Sequence, residues 1–287
     1  MRTNLKTWII VVFSLLFIFL SNAVFSGSRP EVWPIHKAIE VGDLEKAKAL
    51  LVNKGINAQD AWGATPLYKA VFHNRAEFVA YLIKHGADVN LADSEGLAPL
   101  HVAALENFPG LVQTLQTKGA NLEAKDNYGY TPLHLAADQD SLKAAQKLIY
   151  AGANVNSQSK WNSTPLHASV ANKNIDLTKL LIIEGAKVGT RDRLGRTSLH
   201  WAAEKGNSAI ANFLILNGAE INKSDNDGET ALHEAAKWDH IKIVKLFILH
   251  GADINAKGSD GRGPIHIAIA NGNLDIVNLL KTHGASL

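Results

Sequence analysis

The sequence predicts an all-α fold, a solenoid of helix-turn-helix units joined by β-hairpin tips, and two periodic signals carry that expectation. The tetrad Thr-Pro-Leu-His or a close relative recurs with its proline, or the equivalent residue, at Pro34, Pro66, Pro99, Pro132, Pro165, Ser198, Ala231 and Pro264, so the steps are 32 residues once and 33 six times. A Gly-Ala pair or a variant keeps the same beat at Gly55, Gly86, Gly119, Gly152, Gly185, Gly218, Gly251 and Gly284. A unit this short cannot bury its apolar side alone, so neighbours must stack on one continuous core.

The first 26 residues stand outside the array. Arg2 and Lys6 form a basic head, Trp8 to Leu20 is an apolar run of 13 residues broken only by Ser14, and Ser21-Asn22-Ala23 or Val24-Phe25-Ser26 offers small residues for cleavage. That order of features is the order of a secretory signal peptide. The alternative is an uncleaved membrane anchor, because Trp8 to Phe25 reaches 18 residues, the lower edge of a bilayer span. Cleavage predicts an exported chain, periplasmic or secreted, that begins near Val24 or Gly27. Retention predicts a chain anchored by residues 8–25. The repeat domain is expected over residues 31–287.

Charge and composition narrow the partners. The chain holds 29 Lys plus Arg against 27 Asp plus Glu, and 29 minus the two of Arg2 and Lys6 leaves 27 against 27. A neutral chain with no run of Lys and Arg lacks the basic stripe that nucleic acid or anionic lipid would need. Membrane enters only if the N-terminal segment is retained. Cysteine is absent, so export brings no disulfide framework and packing must hold the array.

Within one unit the residues dictate their own local structure. Thr131 can cap a helix with its hydroxyl while Pro132 fills the first helical position, where a missing N–H costs nothing. Leu133 points inward, the Ala136-Ala137 pair lets the second helix, Leu142 to Tyr150, come close, and Gly152 supplies the left-handed residue that ends it. The tips need positive φ, which Gly96, Gly129, Gly195, Gly228 and Gly261 provide and Asn162 replaces in the fifth tip. At the ends the pattern departs. The junction between Gly55 and Asp60 is two residues shorter than its sisters and is expected to distort the first tip, and Trp33 stands in place of the capping Thr. The last second helix is expected to bury Leu274, Ile276, Val277, Leu279 and Leu280.

Period, tetrad and Gly-Ala marker together resemble the ankyrin-repeat family, over about Glu31 to Leu287 and about eight repeats. The resemblance implies a module that binds a protein partner and does no chemistry, with no cofactor and no metal, and a monomer is expected. It also explains the histidines. Seven of the twelve, His36, His101, His134, His167, His200, His233 and His266, are the tetrad histidine, with Tyr68 breaking the series. In the family this imidazole is a structural bridge between neighbouring turns, bonded to backbone and to the capping Thr. Successive copies lie roughly a helix-packing distance of 8–10 Å apart, so they cannot share a zinc ion whose ligands sit about 2 Å away. His85, His250 and His283 precede helix-ending glycines, where an imidazole suits the negative end of the dipole.

Rival chemical readings fail on single residues. Asp225, Asp227, Gly228 and Glu234 imitate a calcium loop, but Lys223 occupies the position that needs a carboxylate. Gly258, Gly261 and Gly263 lie in a tip without a strand-to-helix phosphate motif. No serine elbow, Walker loop or His-Glu-x-x-His helix is present. Asn162 and Asn222 head glycosylation sequons, which matter only in a eukaryotic secretory pathway.

The partner site is expected on the concave side that the resemblance implies, made of tips and first helices. Read at 33-residue steps, the residue before the tip turn is Trp62, Glu95, Tyr128, Trp161, Leu194, Asp227 and Asp260. A tip has no core of its own, so large apolar groups there cost exposed area unless something covers them. Trp62, Tyr128, Tyr130, Trp161 and Leu194 are expected to form one apolar stripe, joined by Phe72, Leu105 and Trp238 at the ends of first helices. The alternative is that the tip aromatics pack on one another to staple the array.

Overall fold

The computed structural model describes residues 34–287, so the signal or anchor segment and Trp33 lie outside the described residues. Among the described residues sixteen helices follow one another in pairs. The first helices of the pairs are Pro34–Val41, Pro66–Phe72, Pro99–Leu105, Pro132–Asp138, Pro165–Ala171, Ser198–Glu204, Ala231–Lys237 and Pro264–Asn271. The second helices are Leu44–Lys54, Ala76–Lys84, Pro109–Thr117, Leu142–Tyr150, Ile175–Ile183, Ser208–Leu216, Ile241–Leu249 and Leu274–Thr282. The pairs are numbered below as repeats 1 to 8. The fold is the all-α solenoid expected, with one refinement: the tips are tight turns more than hairpins. Each closes on a bond such as Asp126 N–H to the Tyr130 carbonyl at 3.0 Å, and one isolated bridge, Ser224 with Thr230, is the β-structure among the described residues.

Packing follows the small residues. Ala136, Ala137, Ala144 and Ala145 are fully buried where the two helices of repeat 4 meet, and the absence of bulk there brings the backbones close. The apolar cluster is continuous from Ile35 to Leu280. In repeat 5 a polar pair interrupts it, because Ser169 and Thr178 stand where the other repeats carry Ala and mostly Val; their hydroxyls lie 3.1 Å apart and satisfy one another.

Three hydrogen-bond ladders tie repeat to repeat. Along the tips, the N–H of Ser94, Asn127, Lys160, Arg193, Asn226 and Ser259 each donates to the carbonyl of the pre-turn residue one repeat earlier, as from Lys160 to Tyr128 at 3.0 Å. Deeper, the imidazole of His134 accepts the Thr131 N–H at Nδ1, which fixes the proton on Nε2, and Nε2 donates to the Ser163 carbonyl at 3.0 Å. His101, His200 and His233 repeat this bridge to Tyr130, Glu229 and Arg262. An asparagine ladder that the sequence expectations missed follows each Gly-Ala marker on the same 33-residue register, with Glu123 and Gly189 at the two other positions. Asn57, Asn90, Asn156, Asn222 and Asn255 each accept a backbone N–H and donate to a glycine carbonyl of the next repeat, for example Asp88 N–H and Gly86. The amide of the Asn222 sequon is thereby engaged in the fold.

Three expectations are corrected. The tetrad threonine does not cap by its hydroxyl in the histidine repeats: Thr131 Oγ1 lies 2.9 Å from His134 Nδ1, and the ring takes over the capping of the turn. Hydroxyl capping appears where Tyr68 removes the imidazole, with Thr65 Oγ1 accepting the Tyr68 N–H at 3.0 Å. The first tip is regular, because the two-residue deletion is absorbed between Gly55 and Ala58, whose N–H closes a turn onto Gly55, while Asp60 still accepts from Trp62 and Ala64. Leu274 is 69% exposed, since among the described residues no further repeat packs over it.

Candidate partner-binding face

Tips and first helices together form the inner face. A carboxylate holds most tips in shape: one oxygen of Asp126 accepts the N–H groups of Tyr128 and Tyr130, each at 2.8 Å, and Asp60, Asp93, Asp192 and Asp225 do the same. Asp225 is thus spent on its own turn, not on a calcium loop. The turn then aims the flanking side chains outward. Gly63 (φ 76°) and Gly129 (φ 80°) are forced, since a Cβ at either would sit under 3 Å from the backbone of the next tip.

The expected stripe is partly assembled. Trp161 stacks on Tyr128 at 5.7 Å between ring centroids and lies 5.6 Å from Tyr130, so three of the five expected residues meet. Tyr128 stays 38% exposed at the edge of this stack. Leu194 follows on the next tip and is exposed. Trp62 stands apart: Glu95 occupies the tip between it and Tyr128, and the Lys69 ammonium lies 5.7 Å from its ring. Contact between tips and outward display therefore coexist in the same aromatics.

Phe72 and Leu105 line a shallow, open apolar groove with Tyr68, Leu97, His101, Val102 and Leu135. Here the Tyr68 hydroxyl bonds Asp93, and burial pushes its pKa up. The carboxyl of Glu106 is pushed up by burial, and so is that of Asp138, which the amides of Gln139 and Asn172 partly offset. Reading the residue that follows the tetrad, Lys69, Val102, Leu135, Ala168, Trp201, Glu234 and Ile267, finds this groove in the sequence; the tip register alone does not.

Repeats 6 and 7 carry a second patch that the sequence expectations touch only through Trp238. Arg196 is 8% exposed and reaches Asp192 at 3.3 Å and Glu204 at 2.9 Å, while Lys205 holds the other oxygen of Glu204 at 2.9 Å. Its guanidinium lies 4.0 Å from the centre of the Trp201 ring, whose N–H donates to Asp192 at 3.1 Å. One repeat on, the Trp238 indole donates to Glu234 at 2.9 Å. Burial pushes the Glu234 carboxyl up, and Lys237 beside it pulls the other way.

This is a repeat-built face on which side chains converge from successive units. A family model for ankyrin repeats (3 copies) matches residues 35–126, 92–159, 133–225 and 205–287, and the chain belongs to the ankyrin-repeat family. Such repeats generally mediate protein–protein interaction and are typically non-enzymatic. A 55-residue stretch is 44% identical to the 2-5A-dependent ribonuclease of Mus musculus, over 18% of this chain and 7% of that protein. The chain thus matches a small fraction of that relative's length.

Proposed function

We propose that the chain is an exported, non-enzymatic module that holds a protein partner against its concave side, as scaffold, inhibitor or protector. The observation that carries this reading is the groove of repeats 2–4. Phe72, Leu105 and Leu135 stand half-buried there at the rim of the core, on the same face as the Tyr128, Trp161 and Tyr130 stack. Apolar surface gathered in this way gains most when a partner covers it. Export rests on the basic head, the apolar run and the small residues after it. A tethered adaptor is the second reading. Among the described residues no helix is long and apolar enough to cross a membrane, so tethering would rest on residues 8–25.

Affinity capture from the exported fraction, with wild type beside Phe72→Ala and Trp161→Ala, tests the reading. Truncated hot spots cost about 2 kcal/mol or more in affinity, whereas an aromatic pair contributes only about 1 kcal/mol to stability. A stoichiometric partner retained by both variants would move the site off this face. N-terminal sequencing separates the two locations: Met1 on membrane-pellet protein supports the anchor.

A further inference from the structure

We propose that the groove of repeats 2–4 takes a partner segment that is apolar and cationic together, an arginine seated between flanking aliphatic side chains. This rests on the reading of the inner face given above. Repeat 6 shows what the position is made for. Glu204, at the end of its first helix, is met by Arg196 at 2.9 Å and Lys205 at 2.9 Å, and the guanidinium lies over Trp201.

Sixty-six residues earlier the same positions read Asp138, Tyr130, Gln139 and Leu135 in place of Glu204, Arg196, Lys205 and Trp201. The carboxylate is kept and both cations are gone. Asp138 is left with two amide donors, one from Gln139 at 2.9 Å and one from Asn172 at 3.1 Å. In repeat 3 Leu105 takes the position of Asp138, and Glu106, one residue on and just past the helix end, has no ion pair among those of the described residues. Both acids lie where the helix dipole is negative, which favours a cation.

Lys69 of repeat 2 is engaged elsewhere, since its ammonium faces Asp60 at 3.7 Å and the Trp62 ring. An incoming guanidinium would do for Asp138 what Arg196 does for Glu204, with Tyr130 and Trp161 offering ring faces for its flat side. Phe72 and Leu105 would take the aliphatic neighbours.

The test uses the full-length chain and short fluorescent peptides: one alternating leucine and arginine, one alternating leucine and glutamate, and one with serine replacing leucine. The first should bind, and the other two should bind at least about tenfold more weakly. Combining Glu106→Gln with Asp138→Asn should weaken the arginine peptide by about tenfold and remove most of its salt dependence, with an unchanged or higher melting temperature. Equal binding of the arginine and glutamate peptides, or a double variant that binds as wild type, overturns the proposal. A captured partner lost with Phe72→Ala but kept by the double variant would sink the cation assignment alone; one kept by both would sink the reading of the face as well.

Discussion

Repeats 2–4 and repeats 6–7 line one face with opposite chemistry. Tyr130, Leu135, Asp138 and Gln139 in repeat 4 stand where Arg196, Trp201, Glu204 and Lys205 stand in repeat 6. In the later repeats these side chains satisfy one another, so the surface adds to the fold and asks little of a partner. In the earlier repeats the same positions leave apolar area and one carboxylate, Asp138, without a cation, so the surface adds little to the fold and is left for something else. Repeat 5 divides them with Ser163, Ala168 and Ala171 at the matching positions. The division is also mechanical. The imidazole bridge is loosest here, since His167 Nε2 faces the Arg196 carbonyl without the close hydrogen bond of its sisters, and Gly189 interrupts the asparagine ladder, so of the three links between repeats 5 and 6 one is weakened and one is missing.

Acid should expose this asymmetry with the largest effect. Burial holds His101 and His134 at about 4, against an ordinary 6.5. Burial also lowers His200 and His233, but Asp225, with Asp192 or Asp260, pulls those two back up. In the unfolded chain each ring binds its proton near 6.5, so below that pH the unfolded state holds more protons and stability falls as pH drops toward 4. Each ring contributes up to about 1.4 kcal/mol per pH unit, so the first two alone give about 3. Glu106 and Asp138, pushed up by burial, act in the opposite direction, but only close to the carboxylate range. Hydrogen exchange at pH 7 and pH 5 should therefore show repeats 3 and 4 losing protection before repeats 6 and 7. Uniform loss would break the comparison.

Arg196→Ala tests the self-satisfied half. Removing the guanidinium strands Asp192 and part of Glu204 in a buried site, with an expected loss of about 3 kcal/mol in denaturant unfolding. Phe72→Ala should cost less than half as much, because its side chain is only half-buried. Equal losses would mean that both halves are structural surfaces.

Much of this architecture is legible in the amino-acid sequence, because a repeat frame fixes which residues are equivalent. The tip glycines, the helix starts and the tetrad imidazoles all follow from one register. The groove and the Arg196 cluster do not, since they lie in a second register, after the tetrad, and their meaning depends on which neighbours touch across repeats. Trp201 reads as a variable helix residue; only folding brings Arg196, eight positions from Glu204 and on a different element, against both of them. The asparagine ladder is hidden for a simpler reason. Asn57, Asn90, Asn156, Asn222 and Asn255 share the 33-residue register, but their role is not visible there, because only stacking brings each to the backbone of the following unit.

His134→Ala should cost about 1 to 3 kcal/mol, because it leaves the Thr131 N–H and the Ser163 carbonyl unpaired. His167→Ala should cost measurably less, since its Nε2 lacks the close hydrogen bond that His134 makes to Ser163. Thermal melts of the two variants decide this. Equal destabilisation would restore the imidazole ladder across repeats 5 and 6 and weaken the case for a mechanical division there.

The smallest effect gives the finest test. Gly189 is exposed, and a Cβ built on it meets nothing within 4 Å, so Gly189→Asn introduces no clash. The new amide would stand where Asn156 and Asn222 stand, with the Glu220 N–H and the Gly218 carbonyl as the partners that Asn156 finds in Lys187 and Gly185. Losing glycine also narrows the unfolded ensemble. The two contributions together should stabilise the array by about 1 kcal/mol. Asn156→Gly, which removes an existing rung, should cost a similar amount. The informative measurement is cooperativity. If the 5–6 junction is the weak seam, repeats 1–5 and 6–8 unfold at separable denaturant concentrations in wild type, and Gly189→Asn draws the two transitions together because neighbour coupling in a linear array sets how far unfolding spreads. A wild type that already unfolds in one sharp step, unchanged by the substitution, would show that the core packing of repeats 5 and 6 carries the junction without either link.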